Sequence, residues 1–168
     1  AEVIDQHGGW VNEFIGDGIL AVFGAPMEAE RQADRAVACA VRMQLAMQDV
    51  NRQCTEAGLP TLEMGVGVHT GEVIVGSVGS ESRAKFGLVG SAVNLTSRIE
   101  SYTVGGQVLV SGRTHDELTD VVALRGSFVV QPKGVLGTVQ IHDVVGIGPH
   151  RLPTTESALK TIAPEVVG

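Results

Sequence analysis

Apolar and polar positions change period several times along this 168-residue chain, and each change marks an element. Two short β-type runs, Trp10 to Ile15 and Ile19 to Phe23, flank Gly16-Asp17-Gly18. An Asp-Gly turn between such runs predicts a hairpin. Pro26 ends it. From about Ala29 to Cys54, apolar residues then recur at three- and four-residue steps: Ala33, Ala36, Ala40, Met43, Met47, Val50 and Cys54. That seam predicts one long helix whose Met and Ala stripe packs into a core. Beyond Gly58-Leu59-Pro60, Leu62 to His69 and Glu72 to Val78 read as a second hairpin about Thr70-Gly71. A loop with Glu81, Arg83 and Lys85 follows, then a helix from about Ser91 to Tyr102 that stops at Gly105-Gly106. Gln107 to Val110 reads as a strand and Arg113 to Leu118 as a short helix. Val121 to Val130 and Val139 to Val145 read as the last strands, parted by Pro132-Lys133-Gly134. This order predicts an α+β fold, a ferredoxin-like βαββαβ core with extra strands, its helices on one main face of the sheet.

Residues 1–146 form one predicted domain, and 147–168 read as a C-terminal tail. Glu2 to Gly9 look like the last turns of a helix with a glycine stop. The chain opens without Met, so the expectation is a fragment, with a strand and the rest of that helix before Ala1.

The net charge of −7 argues against nucleic acid as a partner, which calls for clustered Lys and Arg. No apolar run approaches the roughly 18 residues of a membrane span, and no signal peptide opens the chain. Cys39 and Cys54 stand fifteen positions apart in one predicted helix without metal-ligand spacing. They read as reduced thiols of a cytoplasmic protein. His69, His115 and His142 show no ligand spacing and read as ordinary strand or helix residues.

Asn94 and Arg98 stand four apart near the start of a predicted amphipathic helix, which puts both heads on one face. A helix surface explains them without chemistry. Gly90, Ser91 and Ala92 in front of them leave open N–H groups at the helix start, which favour phosphate. Arg98 can then bind phosphate oxygens as a planar fork, and Asn94 can hold a ribose oxygen. Asp17 reads either as a turn aspartate or, with Glu13 on the same face of the hairpin, as part of a carboxylate pair. Such a pair suits a metal ion plus a hydrogen-bond acceptor. Lys133 reads as a turn lysine or as a point charge that reaches a polyphosphate.

Each of these signals is weak alone, but their order is specific. Val11 to Gly24, Gly65 to Val73, Gly90 to Arg98 and Gln131 to Gly134 together resemble four motifs of the class III nucleotide cyclases, the adenylate and guanylate cyclase family. The resemblance implies that the 3′-oxygen of a nucleoside triphosphate attacks its α-phosphorus and releases pyrophosphate. It implies two divalent metal ions, Mg²⁺ or Mn²⁺, and a head-to-tail homodimer with sites between subunits. Asp17 would bind metal, Asn94 would orient the ribose, and Arg98 would meet charge on the α-phosphate. Glu13, Gly87, Leu88 and Lys133 would bind the rest of the substrate. The family's other metal-binding aspartate would fall before Ala1, so these residues alone are expected to bind metal poorly and to be inactive.

The base-reading positions hold Glu13 and Gly87. Guanine offers N1–H and an exocyclic amine, two donors that a carboxylate accepts, whereas adenine presents a bare N1. Glu13 therefore points to GTP, and Gly87 has no side chain to read the second edge. An adenylate cyclase and an inactive regulatory cyclase domain are the alternatives. A diguanylate cyclase is disfavoured, because Trp10-Val11 interrupts that family's Gly-Gly-Asp-Glu-Phe signature.

Overall fold

A computed structural model describes residues 1–80 and 85–153 of the chain. The loop predicted around Glu81 and Arg83, and the tail from residue 154, lie outside the described residues. α1 (Glu2–Gln6) is one short turn that buries Ile4 and ends at Gly8. β1 (Trp10–Ile15) and β2 (Gly18–Val22) form the expected antiparallel hairpin, with Gly16 at φ +61° in its turn. A bulge between Val11 and Glu13 leaves Asn12 outside the register. α2 (Gln32–Glu56) is the long helix.

The main sheet runs β3 (Val66–Val68), β6 (Val108–Ser111), β8 (Val139–Ile147), β7 (Val122–Val130), with β9 (His150–Arg151) on the far end of β8. β3 and β6 are parallel and the other pairs antiparallel. β4 (Ile74–Val78) and β5 (Lys85–Val89) form a separate two-stranded ribbon. α3 (Ser91–Ser101) follows β5 after one residue, and α4 (Gly112–Asp116) follows β6 directly.

Several expectations fail here for identifiable reasons. The second hairpin does not form: β3 pairs in parallel with β6, and β4 pairs with β5. Lys85 begins β5 rather than ending a loop. The helices do not share one face. Val108 and Val110 pack with Val144, Ile147 and the Val37, Ala40 and Val41 of α2. Leu109 packs with Ile141 and with Ile99 of α3. Consecutive residues of a strand point to opposite faces, so α2 and α3 cover opposite sides of the sheet. A strand buried on both faces needs this unbroken apolar run. The α2 seam is also displaced: Val37 and Val41 are fully buried, whereas Val50 is exposed. The stretch from Gly148 turns back onto the sheet as β9, tied by a bond from the Leu152 N–H to the Val145 carbonyl.

One buried polar centre lies beside the α3 core. Asp143, 0% exposed, accepts from Arg125 Nε at 2.8 Å and from Gln107 Nε2 at 3.0 Å. Arg125 Nη2 adds a third contact at 2.7 Å.

Candidate active site

α3 lies unusually close to β3 and the segment that follows it. A methyl group added at Gly67 would sit 2.5 Å from the backbone nitrogen of Glu100 and 2.8 Å from its Cα. One added at Gly71 would sit 2.6 Å from the Cβ of Ala92. Glycine at these positions lets the helix lie directly on the strand backbone. Leu95 and Ile99 then enter the core, and the opposite side of α3 is left open. Asn94 and Arg98 are both exposed on that side. No side chain caps the α3 N-terminus; the Val93 N–H turns back to the Gly90 carbonyl at 3.2 Å, and the N–H groups ahead of it are the ones a helix start offers to an anion.

Gly87 and Leu88 are half-buried on β5, opposite Gly76 and Val75 of β4. Glu13 is half-buried on β1, just after the bulge. Asp17 lies in the turn beyond the end of β1, so strand alternation does not fix its direction relative to Glu13. Lys133 is exposed between β7 and β8, next to buried Pro132. The structure thus joins Asn94 to Arg98 on one helix and sets Gly87 and Leu88 just before it. Glu13 and Asp17 lie on a hairpin with its own two-stranded sheet, and Lys133 lies on a separate loop. Among the described residues, no hydrogen bond or ion pair engages the side chains of Asp17, Asn94, Arg98 or Lys133.

No cluster of three or more His, Cys, Asp or Glu side chains suited to a metal ion exists among the described residues. Asp17 offers one carboxylate.

The histidines turn out to have partners. His69 Nδ1 lies 2.8 Å from Ser111 Oγ. Burial first, and the charge of Arg113 second, hold its imidazole below the usual 6.5. His142 Nδ1 lies 2.6 Å from Ser127 Oγ, and its ring stands 4.3 Å from that of His115. The signal for His69 was present in the sequence as Gly65-Val66-Gly67-Val68-His69-Thr70-Gly71, where it is the one large residue in an alternating row of glycines.

The family model for the adenylate and guanylate cyclase catalytic domain matches residues 1–143. The chain belongs to the class III adenylate/guanylate cyclase family. Its fold superposes on the crystal structure of the guanylyl cyclase Cya2 with a TM-score of 0.86 and 54% identity, covering 90% of this chain and 79% of that one. The guanylate cyclase domain of RhGC from Catenaria anguillulae, solved in complex with GTP, is 27% identical with a TM-score of 0.74. That match covers 87% of this chain and 77% of the other. Adenylate cyclase 1 of Rhizobium meliloti (strain 1021) is 33% identical over 149 residues, 88% of this chain and 22% of that protein. The chain spans about a fifth of the length of the curated relatives it matches. No helix among the described residues of this cyclase domain is long and apolar enough to cross a membrane.

Proposed function

We propose that this cyclase domain converts GTP to 3′,5′-cyclic GMP and pyrophosphate at a site shared by two head-to-tail copies. The carrying observation is Glu13, a half-buried carboxylate on β1. It accepts guanine N1–H and the exocyclic amine. Facing adenine N1, the same carboxylate sets acceptor against acceptor, a mismatch of about 1–3 kcal/mol. The likeness to a guanylyl cyclase at 54% identity supports the same choice.

In this reading Asn94 holds the ribose so that its 3′-oxygen lines up with the α-phosphorus. The new bond joins that oxygen to phosphorus as the bond to the β-phosphate oxygen breaks, and pyrophosphate leaves. Arg98 and the open α3 N-terminus stabilise the charge that grows on the α-phosphate. Gly87 and Leu88 border the base, and Lys133 holds the outer phosphates. Asp17 would serve as one ligand of a divalent cation, Mg²⁺ or Mn²⁺, which would neutralise charge on the triphosphate. Dimerisation is supported by the spread of these groups over elements that do not bond to one another. It is also supported by apolar surface beside them: Phe14 is 69% exposed on β1 and Ile74 74% exposed on β4.

A second reading, ATP to cyclic AMP, draws support from the adenylate cyclases among the relatives and from Gly87, which presents no side chain against adenine. The test is turnover of GTP and ATP side by side, with Mn²⁺, by the full-length gene product. Cyclic GMP in clear excess is expected. Glu13→Lys should then move the GTP-to-ATP ratio toward ATP by about 5- to 150-fold, the kinetic equivalent of the mismatch. A ratio that Glu13→Lys leaves unchanged refutes this account of base choice, and cyclic AMP in excess from the native protein replaces it with the second reading.

A further inference from the structure

The parallel register Val66↔Val108, Gly67↔Leu109, Val68↔Val110 brings residue 69 beside residue 111. Residues 65, 67, 69 and 71 alternate with the core-facing Val66 and Val68, so they face α3. The glycines in that row approach Thr103, Glu100 and Ala92 in turn, which means α3 runs antiparallel above them. His69 is the only member with a side chain. It reaches sideways to Ser111, 1% exposed, whose Oγ also accepts the Thr114 N–H at 3.2 Å. Ser111 Oγ and Thr114 Oγ1 lie 3.1 Å apart, and Thr70 Oγ1 lies 3.0 Å from Thr114 Oγ1. His69 and Thr70 are thereby clamped to the β6–α4 junction. The Nε2 edge of the ring lies by Gly71, and Gly71 in turn abuts the helix start: a methyl group there would lie 3.3 Å from His69 Nε2 and 2.6 Å from the Cβ of Ala92, so the segment that His69 anchors is the one on which Ala92 rests. Ala92 precedes Asn94 by two residues in the first turn of α3.

We infer that His69 is a positioning residue, which fixes the first turn of α3 to the β6–α4 junction and so sets the place of Asn94. The inference rests on the role proposed for Asn94. It separates two properties that a general loss of stability would lower together. The groups proposed to hold the base and outer phosphates, Glu13 on β1, Gly87 and Leu88 on β5 and Lys133 between β7 and β8, lie outside α3 and stay in place when the clamp is lost. Turnover should fall while substrate affinity holds.

The experiment measures kcat and KM for GTP in the full-length protein carrying His69→Ala, His69→Asn, Asn94→Ala or His69→Ala with Asn94→Ala. Circular dichroism checks the fold of each. His69→Ala is expected to lower kcat by about 10- to 100-fold, the range for displacement of a reacting group by an ångström or less, with KM changed less than about twofold. His69→Asn places an amide where imidazole Nδ1 stood, so it should keep most of kcat and remain usable if the alanine variant fails to fold. In the Asn94→Ala background His69→Ala should remove nothing further, since His69 acts by placing the Asn94 side chain. A full kcat for His69→Ala beside a crippled Asn94→Ala overturns the inference and leaves the site intact. So do losses that multiply in the double variant, or an asparagine variant as poor as the alanine one. Undiminished kcat in Asn94→Ala overturns the role of Asn94 itself, and the inference with it.

Discussion

Replacing Gly67 with Ala tests whether α3 must rest on the backbone of β3. The added Cβ would meet the Glu100 nitrogen at 2.5 Å and Cα at 2.8 Å. Comfortable contact begins near about 3.5 Å, so strand and helix must part by about 1 Å. Both obstructing atoms are backbone, and no rotamer change can relieve them. Overpacking of this kind costs about 1–3 kcal/mol, and a backbone clash belongs at the upper end. For a domain of this size, 3 kcal/mol lowers Tm by about 6–12 °C. The same displacement moves Asn94 and Arg98 by a comparable distance, which costs up to about 100-fold in kcat. Thermal melts followed by circular dichroism and steady-state turnover read the two effects. Gly76→Ala is the control, because nothing lies within 4 Å of the Cβ it adds. A Gly67→Ala variant with the Tm and kcat of the native protein would refute the reasoning, as would a loss equal to that of Gly76→Ala.

Three further outcomes are expected. Arg125→Ala strands the buried Asp143 carboxylate and should destabilise by about 3–5 kcal/mol in urea unfolding; Arg125→Met with Asp143→Leu should recover most of that, and a worse double variant would argue against it. Burial foremost, with Arg113 beside His69 and His115 beside His142, holds both imidazoles below 6.5. The unfolded chain therefore takes up protons first, so stability is full above about pH 6.5 and is lost as pH falls toward the folded values. Melts across this range should show the slope, and His69→Asn with His142→Asn should flatten it. Finally, full-length Asp17→Asn and Arg98→Ala proteins should each be nearly inactive alone yet regain turnover when mixed, because the proposed head-to-tail pair would then contain one intact site. Continued inactivity after subunit exchange, followed with labelled chains, would argue against a shared site.

The readable parts of this fold were those fixed by neighbouring residues. Gly16-Asp17-Gly18 announces the first hairpin within three residues, and the long α2 periodicity marks its helix whichever residues form the seam. The seam itself is set by the sheet: the strands select Val37 and Val41 as well as the small residues Ala33 and Ala40, and that choice is not encoded in the helix periodicity. The false hairpin at Thr70-Gly71 has a different cause. β3 pairs with a strand some forty residues away, and nothing in its own residues names that partner. The candidate site was legible as motifs, in the spacing of Asn94 and Arg98 and the turn holding Asp17. Its division among hairpin, helix and loop was legible as well, whereas the clamp at His69 was not, because its partner Ser111 becomes a neighbour only through the parallel register.

β8 sits in the middle of the main sheet, yet it is one of the last strands in the chain. It carries Ile141 into one core and Val144 and Ile147 into the other. On the ribosome, therefore, neither layer can close until residues 139–147 have emerged. Before that, β6 offers a bare edge flanked by apolar side chains on both sides, the kind of edge that pairs with other chains. The order of synthesis makes the late strand the keystone of folding, and ribosome-stalled chains that end before Val139 should be open to protease while those that expose Ile147 resist it.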